Sequence, residues 1–258
     1  ADDLLMAEEK VSDIRDAQIK KYQMLIDSTD DDSEEKADYI FRLAEIMAQK
    51  RRFHHFRAME ATFKADNAKN NAEKQKWTGQ RNENLKLEKK WLLEAVKQYT
   101  SVANNPKWKN YKRMDSVLFF LAYMLTQAAM DGEARTVFKR LIKDYQGSKY
   151  IPDAYLAFAE YFFGKGDFDS ALDFYNKVLE FKNSGVYGYA KYKTAWVYYN
   201  LGEQEKALGT LIDVVQEMKD KPKSKTLVRA ARKDVVRVYA EIGQADKAYA
   251  LFKKVGGD

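Results

Sequence analysis

Apolar positions in this chain recur at helical rather than strand spacing, and one pattern returns five times. Ala95, Ala134, Ala171, Ala207 and Ala248 are each followed four residues on by a large apolar group: Tyr99, Phe138, Tyr175, Leu211 and Phe252. Three residues further stand Val102, Leu141, Val178, Val214 and Val255. The alanines lie 39, 37, 36 and 41 residues apart. Twelve residues before four of them comes another small or short residue: Ala122, Ala159, Ala195 and, most loosely, Val236. Leu125, Phe162, Tyr198 and Tyr239 follow these at three residues. Spacings of three, four and seven place side chains on one helix face. The pattern therefore predicts pairs of antiparallel helices that meet at small residues and fill the flanking grooves with bulky ones.

Turn chemistry supports the pairing. Gly166-Asp167, Gly202-Glu203 and Gly243-Gln244 fall between the two helices of a pair, and Asp131-Gly132 serves an earlier pair, slightly displaced. Pro152 suits the first turn of a helix, where a missing N–H costs nothing.

The first pair departs from this spacing. Residues 34–49 read as a first helix, with Ser33 as cap, Glu34 and Glu35 in the first turn, and Ile40, Leu43, Ala44 and Met47 facing inward. Ala44 is the small residue, yet its partner Ala95 lies 51 residues on instead of 12. If both arms stay helical, the reversal falls near residue 69 or 70, within Asp66-Asn-Ala-Lys-Asn-Asn71. Each helix of the pair then projects about 30 Å beyond its body at 1.5 Å per residue. Within this inserted arm, about 50–90, an apolar stripe of Phe53, Phe56, Met59 and Phe63 is expected to face Trp77, Leu85 and Trp91. Lys50, Arg51, Arg52, Arg57, Lys64, Lys69, Lys74, Lys76 and Arg81 are expected on its outer faces.

Three blocks follow: residues 1–32 as an N-terminal helix capping the solenoid, 33–114 as the first pair with its long hairpin, and 115–258 as four repeats (115–148, 152–185, 188–221 and 229–258). The last repeat ends at Lys253-Lys254-Val255-Gly-Gly-Asp258 without a polar capping helix. A solenoid that stops on a repeat leaves an apolar side open, so this end is expected to continue or to dock on another copy or partner.

Charge changes the picture in one place. The formal net charge of +6 hides an acidic start (14 acids, 6 bases over 1–49) and a basic middle (17 bases, 6 acids over 50–114). A solvated helix face explains this balance, and so does a docking arm for an acidic protein, nucleic acid or anionic surface through Arg51, Arg52, Arg57, Lys64, Lys74, Lys76 and Arg81. Composition narrows the chemistry further. With no Cys and two adjacent His, at 54 and 55, neither a thiolate site nor a His-based metal site is expected. No Walker-type loop, G-x-S-x-G elbow or H-E-x-x-H helix occurs. No catalytic residue, metal or cofactor is therefore assigned, and nucleic acid is disfavoured for want of a fold signature. No apolar run of 18 residues is present to span a bilayer, and no uncleaved signal peptide is expected at the start.

The order small–x2–large, a Gly turn, then Ala-x3-aromatic resembles the tetratricopeptide repeat. The family's first-helix Trp is replaced here by Leu118, Tyr155, Lys191 and Arg232. The resemblance implies an all-α, right-handed superhelix of antiparallel helix pairs, with an elongated first hairpin in this chain. It implies a non-catalytic scaffold that binds peptide or protein segments in a groove lined by first helices. Carried onto this sequence, the groove positions include Phe119 and Tyr123, then Glu160 and Phe163, then Tyr189, Tyr192, Trp196 and Tyr199, and finally Lys233 and Arg237. Four aromatics on one face of 189–199 supply rigid contact area for an internal apolar or aromatic segment. The segment Phe138 to Ala154 is similar to repeat junctions of bacterial cell-envelope tetratricopeptide proteins, including outer-membrane assembly lipoproteins. Residues 183–200 resemble long repeat proteins of predatory and gliding Gram-negative bacteria. A periplasmic or envelope location is the expectation, with cytoplasm as the alternative.

Overall fold

The computed structural model describes residues 2–243 and 245–256. Among them are eleven α-helices, one short 3-10 turn at Pro106–Trp108 and no strand. The protein is all-α, and its helices fall into two compact units that divide between Gln146 and Gly147.

The first unit contains α1 (Asp2–Ser28), α2 (Glu34–Asp66), α3 (Asn71–Asn104), α4 (Met114–Gln127) and α5 (Asp131–Asp144). Repeat 115–148 thus packs with the long hairpin, because α4 lies against α3 and α5 against α4. Ser33 caps α2 by accepting from the Glu35 N–H at 3.1 Å. The chain reverses over residues 67–70, where Asn70 accepts from the Glu73 N–H at 2.9 Å and the Glu73 carboxylate accepts from the Lys69 N–H at 3.0 Å. This reciprocal capping lets a 33-residue and a 34-residue helix start and stop within four residues. Each is about 50 Å long.

Near its base the hairpin is a conventional core. Ala44 and Ala95 are both fully buried, and Phe41 meets Tyr99 edge-on at 5.8 Å. Ile40, Leu43 and Met47 are buried with them. Helix α1 lies on α2, with Tyr22 6.2 Å from Tyr39, and Asp16 pairs with the buried Lys50. Val11 and Ile14 of α1 are exposed.

Further out, the expected stripe is reversed. Phe56, Met59, Phe63 and Leu85 are 54%, 57%, 69% and 47% exposed, so they do not form the inner face of the arm. Ala58, Ala61 and Ala65 do. Around them the contact is polar: His54 bonds Asn84 at 3.0 Å, and His55 and Arg51 both reach Glu88, at 3.0 and 3.4 Å. Alanine permits close approach of two helices, whereas rings between two helices with no third layer leave their far sides in water. Lys50 and Arg51, placed outside by the sequence reading, are also turned inward. Lys50 is 5% exposed, with its ammonium 4.6 Å over the Trp91 ring.

The second unit contains α6 (Ile151–Gly164), α7 (Phe168–Leu179), α8 (Tyr187–Asn200), α9 (Gln204–Met218), α10 (Lys225–Ile242) and α11 (Ala245–Gly256). Gln244, Gly257 and Asp258 lie outside the described residues, and with them half of the Gly243-Gln244 turn and the tip of the C-terminal end. Here the alanine register holds in the first two pairs, while Ala248 of α11 is only half-buried. Ala159, Ala171, Ala195 and Ala207 are at most 1% exposed, with Tyr175, Val178, Leu211 and Val214 buried beside them. Val236 breaks it. That side chain is half exposed, and Val235 and Val238 enter the cluster with Leu211 and Val215 of α9 instead. Lys191, at the position of the family's Trp, is bonded to Glu217 at 2.6 Å and lies 3.4 Å from Asp213, replacing a ring contact with an ion pair.

One turn recurs across the pairs. At Ala129, Gly166 and Gly202 the backbone adopts φ of 57°, 75° and 80°. In each case the next residue's N–H reaches back to Leu125, Phe162 or Tyr198 at 2.9–3.0 Å. A left-handed residue closing a helix this way satisfies carbonyls that the helix leaves bare. In the earliest of the three pairs Ala129 takes the role, and Gly132, expected as the turn residue, sits inside α5.

Candidate protein-binding face

In the second unit α6, α8 and α10 are the first helices of successive pairs, and α8 lies beside both of the others. Their facing side chains form two sets of contacts around α8.

Toward α10, Tyr192 donates its hydroxyl to Asp234 at 2.7 Å, and Tyr199 donates to Glu241 at 2.8 Å. The two donors and the two acceptors are each seven residues apart, so α8 and α10 run parallel and in register over two turns. Between these rungs Trp196 stands edge-to-face with both tyrosines, at 6.5 and 5.3 Å, and the Arg237 guanidinium lies 5.4 Å from its ring centre. Each edge-on ring pair holds its neighbour's rotamer and adds to the area contribution.

Toward α6, Glu160 is the hub. Its carboxylate accepts from Tyr175 of α7 and from Tyr189 at 3.4 Å, and the Lys193 ammonium lies 3.5 Å away. The same ammonium sits 3.7 Å over the Phe163 ring. Burial, together with the Glu160 charge, pushes the Tyr189 hydroxyl up to about 12. Burial and the bond to Asp234 raise Tyr192, and the bond to Glu241 raises Tyr199. All three therefore remain protonated donors at neutral pH.

The structure thus brings Glu160, Phe163, Tyr189, Tyr192, Trp196, Tyr199 and Arg237 onto neighbouring helices of one unit. Lys233 is exposed on α10, next to Asp234 in sequence. Phe119 and Tyr123 belong to α4 in the first unit, where they stack at 6.5 Å with Tyr123 44% exposed. Sequence reasoning missed Asp234, Glu241, Lys193 and Tyr175. The signal available for the first two was a shared interval of 42 residues from Tyr192 and from Tyr199.

The basic positions of the arm are partly neutralised. Arg51 reaches Glu88 at 3.4 Å. Arg57 and Lys64 share Glu60 at 3.3 and 2.7 Å, while Lys64 and Lys76 lie 4.4 and 5.3 Å over Trp77. Arg81 bonds the neighbouring Asn82, Arg52 covers Phe56 at 5.4 Å, and Lys74 is exposed. No helix among the described residues is long and apolar enough to cross a membrane.

No curated protein matches the chain. Two solved structures of TPR-like repeats from a putative kinesin light chain of Podosopora anserina, one of them a single-substitution variant, are similar over 80% of this chain and 94% of theirs, at 15% identity with TM-scores of 0.46 and 0.45. The family model described as tetratricopeptide repeat-like domain matches residues 95–255, spanning the alanine-registered pairs of both units, and the chain belongs to that family.

Proposed function

We propose that this protein is a non-catalytic interaction scaffold that captures an extended protein segment against α8 of the second unit. One observation carries the reading: Tyr189, Tyr192, Trp196 and Tyr199 present four rings on one helix face, already held by hydrogen bonds and edge-on contacts. Side chains held in place before binding lose little entropy on binding, so their apolar faces contribute more of their contact energy to affinity. The segment is an internal one with apolar or aromatic side chains that stack on Trp196 and the tyrosines. Acidic groups on it suit Arg237, which lies over Trp196, and the exposed Lys233 four residues before it on α10.

Trp196 makes the reading testable, because it is the sole tryptophan of the second unit. Peptides selected against the protein from a random display library are titrated into a Trp77→Phe, Trp91→Phe, Trp108→Phe background. The expected result is a change in Trp196 emission on binding. Tyr192→Ala with Trp196→Ala is expected to reduce affinity at least ~10-fold at unchanged helicity, as for a central hot spot. Selected peptides that leave Trp196 emission unaltered and bind the double variant equally well would refute the face.

The setting proposed for this scaffold is a bacterial envelope-associated assembly, such as a gliding-type or outer-membrane complex. Its support is the likeness of the Phe138–Ala154 junction to envelope repeat proteins. Fractionation of the native organism tests it, and recovery in the cytosolic fraction alone would overturn the placement.

A further inference from the structure

The reversed stripe of the arm has a regular geometry of its own. Arg52, Phe56, Met59, Phe63 and Asp66 follow one another at intervals of four, three, four and three. That is the 3.5-residue period of a coiled-coil seam, which keeps one line of side chains directed at a partner helix. The three central members are 54%, 57% and 69% exposed, on the side of α2 opposite Ala58, Ala61 and Ala65. Two large rings and a methionine in sequence on a solvent face are an unpartnered seam rather than scattered surface residues. The ends carry opposite charges. Arg52 lies over the Phe56 ring and engages no carboxylate among the described residues, and Asp66 engages no base among them.

Arg52 and Asp66 are each seven residues from Met59, which gives the seam a two-fold character. A second α2 laid antiparallel, with the axis through Met59, sets Arg52 opposite Asp66 of the second copy at both ends. Phe56 then falls within one residue of Phe63 of the second copy, and the two Met59 side chains meet at the axis. Such an interface is self-complementary, as a closed dimer requires. A parallel arrangement would bring like charges together at each end.

We propose that the arm is a self-association element: two copies of the chain pair α2 against α2, antiparallel, about Met59. The occupant is a second copy because this one register matches apolar to apolar and basic to acidic along the whole seam. From Arg52 to Asp66 the seam runs about 21 Å, so the pair buries less than the ~1,200 Å² typical of a stable interface. The dimer is therefore concentration-dependent, forming between roughly 10 μM and 1 mM.

Sedimentation equilibrium of the whole chain across that range, at low and high salt, tests the proposal. The expected outcome is a monomer–dimer equilibrium that Phe63→Glu weakens at least ~10-fold, with helicity and melting midpoint unchanged because the side chain is exposed. Arg52→Asp and Asp66→Arg each weaken self-association about 3-fold or more by placing like charges at both ends. Mixing these two variants in equal amounts restores association to near the unmodified level, because every end of the mixed dimer then carries one base and one acid. A chain monomeric at 1 mM overturns the proposal, and if that monomer binds phosphatidylglycerol vesicles in a Phe63-dependent way the seam belongs to a lipid surface. A dimer indifferent to Phe63→Glu places self-association elsewhere, such as the C-terminal end. Mixed variants that associate no better than either alone exclude the antiparallel register.

Discussion

The arm of the first unit and the helix pairs of the second are built on the same contact, alanine against a neighbouring helix, but they finish it differently. In the second unit each pair is flanked by another. Ala159, Ala171 and Ala190 are therefore enclosed by Tyr155, Phe162, Phe174 and Leu172, themselves partly buried. In the arm the alanine face of α2 packs on α3, and the face opposite it is exposed. Ala58, Ala61 and Ala65 are buried, and polar clamps such as His54–Asn84 and His55–Glu88 flank them. Phe56 and Phe63, on that opposite face, stay in water. Which face of a helix meets a neighbour, not the size of its apolar side chains, decides which stripe is buried.

The sharpest way to break this comparison is to enlarge the small residues. Ala171→Leu in the second unit and Ala61→Leu in the arm both overfill a close contact, and each is expected to cost about 1–3 kcal/mol or more. Phe63→Ala removes a far larger side chain yet is expected to stay within ~0.5 kcal/mol, because that ring is exposed. Urea unfolding monitored by circular dichroism measures all three. A Phe63→Ala loss as large as that of Ala61→Leu would show that the ring is an inner one after all.

Much of this was open to sequence reasoning. Ala95, Ala134, Ala171 and Ala207, with Tyr99, Phe138, Tyr175 and Leu211, are all buried, since a residue that must be small marks its contact wherever the partner stands. The reversal at 67–70 followed from helix length and from Asn and Asp chemistry alone. The inner face of the arm did not, because choosing between the alanine stripe and the aromatic stripe requires knowing which face of α2 meets α3. At the candidate face, the family positions pointed to Lys233 and Arg237. Asp234 was overlooked because its bond to Tyr192 depends on how far α10 is rotated against α8, and Val236 shows that the register of α10 differs from that of α8.

Titration sharpens the contrast, because the ring-to-carboxylate bonds of the second unit have no counterpart on the exposed arm stripe. The Tyr189 hydroxyl is raised from its ordinary value near 10 to about 12, and Tyr192 and Tyr199 are raised as well. A raised folded value means that the folded chain holds its proton more tightly than the unfolded one. The stabilisation is therefore complete below pH 10 and is lost as pH climbs through the folded values. Absorbance at 295 nm is expected to show tyrosines ionising late, and Tyr189→Phe is expected to remove one of them and flatten the alkaline loss of stability. An unchanged late-ionising group in Tyr189→Phe would sever the Glu160 hub from this behaviour.

On the acid side the expected effect is smaller. Burial works to raise Glu217, but its bonds to Lys191 outweigh that and hold the carboxyl below its ordinary range. A depressed folded value contributes stability above the unfolded value near 4.5, and that contribution disappears as pH falls through the folded one. Both partners are partly exposed, so the contribution is at most ~1 kcal/mol. Lys191→Met is expected to make acid unfolding of the second unit begin at higher pH, as followed by Trp196 fluorescence. Identical acid midpoints would leave the ion pair without a stabilising role.

The finest difference between the two units lies in a single methyl group. Ala129, Gly166 and Gly202 close their helices with the same left-handed turn and the same backward hydrogen bonds, but Ala129 carries a Cβ in a conformation that costs an L-residue about 1–2 kcal/mol. The Ala129 side chain is exposed, so replacing it loses no packing. Glycine relieves the strain but adds freedom to the unfolded chain, which takes back a part of the gain. Ala129→Gly is therefore expected to stabilise the first unit by about 0.5 kcal/mol, a rise of ~1–2 °C in melting midpoint. The mirror change, Gly202→Ala, is expected to destabilise the second unit by about 1 kcal/mol. Differential scanning calorimetry of the two variants should show shifts of opposite sign. Shifts of the same sign would mean that these turns, despite matching hydrogen bonds, are held by different forces in the two units.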